Sequence, residues 1–155
     1  MYIIDANTLI VIFRHYYISR FPTFWTNYNQ IVQSGDLVSV REVYNEISNH
    51  SDDSLTAWSK ANKSFFEDIN ETEISYVSEI FAISHFQTLI SKRSILLGKP
   101  VADPFIIAKA RDKSAIVVTQ ELYKPNSARI PNVCEHFGIK YCNLEKFMEY
   151  ENWEF

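Results

Sequence analysis

Four acidic positions carry the chemistry open to this sequence: Asp5, Asp103, Glu121 and one of Glu42 or Glu46. Asp5 follows the apolar run Tyr2-Ile3-Ile4, and Glu121 stands two residues beyond the strand-like run that ends at Thr119. Asp103 precedes a proline at the start of an apolar, alanine-containing stretch. Glu42 and Glu46 are four residues apart and share a helix face. Acids that converge repel one another and lose solvation unless positive charge sits between them. A hard divalent cation such as magnesium or manganese supplies that charge, taking oxygen ligands and keeping several waters. Such an ion orients a water, helps deprotonate it and stabilises charge on a phosphodiester; two ions would sit roughly 3.5–4 Å apart.

Each residue also has a plainer reading. Asp103 suits a helix cap, Glu42 and Glu46 a solvated helix face, and Glu121 a polar loop. Asn7 can hydrogen-bond Asp5 or an ion-bound water, and is equally a turn residue. Thr119 can orient Glu121 or bind a phosphate oxygen, and is equally a β-branched strand residue. Asp5 is harder to reduce to such a role, because the strand before it should be central.

Other chemistries find less support. No glycine-rich turn follows the first strand, against a dinucleotide or P-loop site. No Gly-x-Ser-x-Gly occurs. His15, His50, His85 and His136 are scattered, and Cys134 and Cys142 make no metal-type pair. Lys92, Arg93 and Lys99 could meet phosphates or belong to a solvated loop.

The elements that must position the acids follow in order. Residues 2–4 read as a strand, and residues 9–19 as a helix after the capping sequence Asp5-Ala6-Asn7-Thr8. Phe24, Trp25, Tyr28, Ile31 and Val32 give a second helix over 23–34, stopped by Gly35. A strand over 37–40 leads into a helix over 41–49. Helical spacing resumes from Leu55 to Phe66, and residues 67–73 read as an acidic connection. A long helix is expected over 74–89. Asp103-Pro104 reads as cap and first helical residue of the next helix. Residues 115–119 form the clearest buried strand. A short helix from Pro131, closed by Gly138, a strand over 139–142 and a helix capped by Asn143 complete the chain. Strands alternate with helices, so the fold class is α/β, with a mostly parallel sheet and right-handed crossovers.

The 155 residues suit a single domain spanning 1–155, and 46% apolar composition is enough for a core. The net charge of −4 argues mildly against coating nucleic acid by bulk attraction, although metal ions would neutralise an acidic site. Two thiols do not make a disulfide scaffold. There is no signal-type opening and no run of about 18 apolar residues. A soluble, cytoplasmic protein that does not contact membrane is expected.

Taken together, these residues resemble a PIN-domain ribonuclease of the toxin type (VapC-like). Ile4-Asp5-Ala6-Asn7 is similar to that family's Asp-x-Asn opening, and Val43-Tyr44-Asn45-Glu46-Ile47 to the helix with its second acid. Residues 102–110 resemble its third-acid helix, and Val117-Val118-Thr119-Gln120-Glu121 its strand ending in Thr-x-acid. Phe24-Trp25, Thr119-Gln120-Glu121 and Ile130-Pro131-Asn132-Val133-Cys134 extend the similarity to an uncharacterised PIN-like branch (DUF4411-like). The resemblance implies a three-layer α/β/α fold and Mg2+- or Mn2+-dependent cleavage of RNA. Asp5 and Asp103 would be the central ligands with Glu46 beside them, Glu42 could assist, and Glu121 would complete the pocket directly or through water. Glu121 stands where an aspartate is more usual and is one methylene longer.

The toxin resemblance further implies a cognate antitoxin and a homodimer. Phe21, Phe24, Trp25 and Tyr28 would suit a self-association face, or pack internally against Trp58, Phe65 and Phe66. Two other readings suit the same residues: a phosphatase or phosphotransferase with Asp5 as covalent nucleophile, and a non-catalytic acidic α/β binding protein.

Overall fold

The computed structural model describes residues 1–48, 53–90 and 101–155. The basic and glycine-containing stretch with Lys92, Arg93 and Lys99, and the turn around His50, lie outside the described residues.

Strand β1 (Tyr2–Ile4) is buried throughout and leads through Asp5 into α1 (Ala6–His15). Helix α2 (Pro22–Gln33) has proline in its first turn, and Gly35 then takes the left-handed conformation at φ 78°. β2 (Leu37–Val40) passes directly into α3 (Arg41–Ser48). Helix α4 (Asp53–Ala61), a 3-10 turn (Lys63–Phe65) and β3 (Phe66–Glu67) follow. Next come α5 (Glu71–Ala82) and a 3-10 segment (Ser84–Leu89). The remaining elements are α6 (Asp103–Asp112), β4 (Ile116–Val118), α7 (Ile130–Phe137), β5 (Tyr141–Cys142) and α8 (Leu144–Tyr150).

Five parallel strands form one sheet in the order β3-β2-β1-β4-β5, with Tyr2 opposite both Leu37 and Ile116. Helix α1 packs with α3 and α4, whereas α6 packs with both α5 and α7, giving a three-layer α/β/α arrangement. Helix α8 carries Phe147 edge-on against Tyr2. No described helix is long and apolar enough to cross a membrane.

The sequence reading is corrected at several points. Phe66 and Glu67 are an edge strand rather than the end of a helix and the start of a connection. Two residues are too few for strand periodicity to register; pairing with Ser39 and Val40 makes them one. The long helix over 74–89 starts earlier and is broken at Ile83. Asn70 accepts from the amide of Glu73 while the Glu73 side chain returns to the amide of Asn70, a capping box that fixes the earlier start. Asp103 is not the cap of α6. Ala102 occupies that position with no side-chain cap, Asp103 is the first helical residue, and its carboxylate is not used by the helix amides.

The aromatic face of α2 turns inward. Phe24 stacks on Tyr16 and meets Trp153, Trp25 lies edge-on to Phe13, and Tyr28 contacts Trp58, which continues to Phe65 and Phe66. The carboxyl-terminal Phe155 also packs on Phe24. Of the proposed self-association residues, only Phe21 is exposed.

Candidate active site

In an open parallel sheet, ligands gather where strand order reverses, outside the carboxyl ends of the strands. Here the chain runs from β1 to β2 and β3 on one side and resumes at β4 on the other. The crevice therefore lies between the carboxyl ends of β1 and β4, and Asp5 and Thr119 are the residues that leave those ends.

Asp5 is 2% exposed. It caps α1: Oδ1 accepts from the Thr8 amide at 2.7 Å, and Oδ2 accepts from the Thr119 hydroxyl at 2.7 Å. Its own amide donates to the Val118 carbonyl at 3.1 Å, tying the turn to β4. Ser39 of β2 donates to the Ile4 carbonyl at 2.7 Å and holds the other side. Burial pushes the Asp5 carboxyl above its ordinary range, hydrogen bonds from Thr8 and Thr119 pull it back, and the charge on Glu121 adds to the rise.

Thr119 is the pivot of the crevice. Its hydroxyl donates to Asp5 and accepts from the Glu121 amide at 3.1 Å, so one side chain sets both acids. Glu121 Oε2 accepts from the Ile130 amide at 2.9 Å, at the start of α7. No side chain caps α7 from its own N-cap residue Arg129, so Glu121 serves that end from nine residues upstream. The extra methylene of glutamate gives this reach.

Glu46 and Asp103 approach from opposite layers. Glu46 Oε1 accepts from the Ala102 amide at 3.0 Å, joining α3 to the start of α6 across the sheet edge. Burial lifts Glu46 to about 7; the Ala102 amide opposes the rise and Asp5 adds to it. Burial also lifts Asp103 to about 7, with further pushes from Glu121, Glu46 and Asp5 in that order. Asp103 accepts no hydrogen bond among the described residues, which leaves its carboxylate free of local duty.

Glu42 belongs elsewhere. It is lifted by burial, and its charged neighbours are Asp68, Lys109 and Glu73. Its Oε2 is buried without a hydrogen-bond partner among the described residues. Asn7 is exposed and makes no hydrogen bond to Asp5; Thr8, one position further, makes the contact that the sequence reading considered for Asn7.

Sequence reasoning missed Lys109, which is 2% exposed on α6. Its ammonium meets Glu73 Oε1 at 2.8 Å, Glu67 Oε2 at 3.2 Å and the Asp68 carbonyl at 3.3 Å. An ordinary lysine in a helix gave no signal of burial; only the partners from α5 and β3 reveal it. Elsewhere, clefts of about 510 and 440 Å3 open beside Asp36 and beside Met1 and Lys140, near the amino ends of strands. Neither contains a candidate acid.

The donor set at the crevice is all carboxylate oxygen, which suits a hard divalent cation and not a soft one. Among the described residues, no group of three or more His, Cys, Asp or Glu side chains is arranged to hold an ion jointly. Three of the four acids, Asp5, Glu46 and Glu121, accept from backbone amides. Magnesium does not require such a cage, because it is commonly held by one or two carboxylates, waters and substrate phosphate. No curated protein and no solved structure matches the chain. The DUF4411 pattern, a domain of unknown function, matches residues 2–155 from the first strand to the last residue, and the chain belongs to that family.

Proposed function

We propose that the protein is a Mg2+- or Mn2+-dependent endoribonuclease of the PIN-like kind. The observation that carries this reading is the placement of Asp5 at the switch point of a parallel sheet, buried and joined through the Thr119 hydroxyl to the backbone of Glu121. Asp5 and Asp103 would hold the ion, and Glu46 and Glu121 would reach it through water. The ion, when bound, supplies charge neutralisation and Lewis acidity toward a water and a phosphate. The chain does the rest. Thr8 and Thr119 keep Asp5 in one orientation. The Ala102 amide holds Glu46 on the side of the crevice facing α6. RNA as substrate is supported by the resemblance of the four acid segments to PIN-domain ribonucleases.

The covalent-phosphotransfer alternative asks Asp5 to attack phosphorus. A phosphoryl adduct trapped on Asp5 would favour that chemistry over metal-assisted cleavage. As the toxin of a toxin-antitoxin pair, the protein would be inhibited by a basic antitoxin segment entering the acidic crevice, and would act as a homodimer.

The test is cleavage of a structured RNA, with a DNA control, in Mg2+ or Mn2+. Asp5→Asn and Asp103→Asn should each lose more than the about 10–100-fold that supporting residues of a metal site carry. Calorimetric titration of the same proteins should show metal binding by the wild type alone. Equal cleavage by all three proteins would mean a contaminating nuclease and reject the reading.

A further inference from the structure

The loop leaving the crevice presents two large apolar side chains to water. Leu122 is 71% exposed and Tyr123 is 49% exposed, directly after Glu121. Single exposed hydrophobics are ordinary, whereas contiguous ones beside a site call for an occupant.

This loop is fastened on both sides of the pair. Glu121 is tied through its amide to Thr119 and through its carboxylate to the Ile130 amide. Arg129 donates to the Leu122 carbonyl at 3.4 Å. The Asn132 side chain donates to the Lys124 carbonyl at 2.7 Å and accepts from the Lys124 amide at 3.4 Å. Ser127 donates its amide to the same Lys124 carbonyl at 3.1 Å. The backbone before and after Tyr123 is thus held while about half of its side chain, 49%, stays open to solvent. A ring with two rotatable bonds on a fastened backbone loses little entropy when something stacks on it.

Charge selects the occupant. Lys124, next to Tyr123 in the chain, and Arg129, which reaches the Leu122 carbonyl, are both exposed, in a chain whose net charge is −4. An aromatic side chain with two cations nearby, directly after a candidate acid, fits a nucleotide: base on the ring, phosphates on the cations. A base inside a duplex is not available for this, since both its faces are already stacked.

We propose that Tyr123, supported by Leu122, is the stacking platform that seats an unpaired nucleotide of the substrate RNA beside the acid crevice. The proposal rests on the ribonuclease reading above and adds to it the residue that selects unpaired over duplex substrate at this nucleotide. Because every base has a stacking face, Tyr123 contributes affinity with little sequence preference.

The experiment uses a short end-labelled single-stranded RNA that the wild type cuts, and the same strand annealed to its complement. KM and kcat are measured for wild type, Tyr123→Ala and Tyr123→Phe, and binding is followed by anisotropy in an Asp103→Asn background. Tyr123→Ala should raise KM for the single strand about tenfold and weaken binding to match, with kcat nearly constant. Tyr123→Phe should rescue binding, because it restores the ring face without the hydroxyl. The duplex should be a poor substrate for all three. Unchanged KM in Tyr123→Ala, failure of Tyr123→Phe to rescue, or equal cleavage of duplex and single strand would each overturn the proposal. If the wild type cuts RNA in an Asp103-dependent way and Tyr123→Ala matches it, only the platform falls. If the wild type neither binds nor cuts RNA, the ribonuclease reading falls with it.

Discussion

Asp103 and Glu46 are kept at about 7 in the folded chain, against ordinary values of 3.8 and 4.5. Folding therefore favours their neutral forms. Between those values and about 7 the folded state binds more protons than the unfolded state, so their stabilising contribution is present in acid and lost as pH rises through about 7. In chelator-treated protein, Asp103→Asn or Glu46→Gln should raise stability at pH 8 by at least about 1 kcal/mol, with little gain at pH 4. Urea denaturation at the two pH values measures this, and variants less stable than wild type at pH 8 would contradict it. Saturating Mg2+ should then stabilise wild type more than either variant. Glu121 has a separate duty as the remote cap of α7. Glu121→Ala should cost about 1 kcal/mol, whereas Glu121→Gln, which still offers an acceptor to Ile130, should cost much less. Equal losses in the two variants would remove the capping role.

Helix α6 is where the site and the scaffold are joined. It presents Asp103 to the crevice at its first turn and buries Lys109 against α5 and β3 at its second. Glu73, 1% exposed, is both the Lys109 partner and the closing side chain of the α5 capping box. A buried carboxylate stripped of its cation is costly, so Lys109→Met should lose about 3–5 kcal/mol in denaturant unfolding. Adding Glu73→Gln keeps an acceptor for the Asn70 amide and removes the orphan charge, and should recover about half of that loss. If the double variant is no better than Lys109→Met alone, the penalty lies in packing rather than charge. Glu67 is also held by Lys113 at 3.2 Å, which limits how much of the cluster fails with Lys109.

Across the whole molecule, the α2 aromatics belong to the core. Trp25 is 5% exposed and donates its indole N–H to the Tyr16 carbonyl at 2.7 Å. Trp25→Ala should therefore lose about 3–5 kcal/mol of stability and is unsuitable as a probe of association. Tyr17 and Ile18 are solvent-facing apolar residues nearby, beside a cleft of about 440 Å3 that Phe13 and Trp25 also line. The proposed homodimer is best probed there. Light scattering across a concentration series should show a dimer for wild type and a monomer for a Tyr17→Ser, Ile18→Ser double variant. A folded wild-type monomer at every concentration would end the homodimer proposal.

Read alone, the sequence determined the local grammar of this protein. Alternating apolar runs and caps gave β1, β2, α2, α7 and α8 close to their final limits, because strand burial, Pro and Gly at helix ends, and Asn capping are short-range effects. It also placed Asp5 after a central strand, which the strand order bears out. Tertiary structure decided what depends on partners distant in the chain. It tied Glu46 to the Ala102 amide while placing Glu42 among Asp68, Lys109 and Glu73, although both glutamates share one helix face in sequence. It freed Asp103 from capping, made β3 from two residues, and buried a lysine that composition would leave in water. Each of these outcomes is set by which layer of the sheet a segment crosses and what it meets there. Periodicity along the chain carries no record of that meeting, since contacts such as Asp5 to Thr119 join residues 114 positions apart.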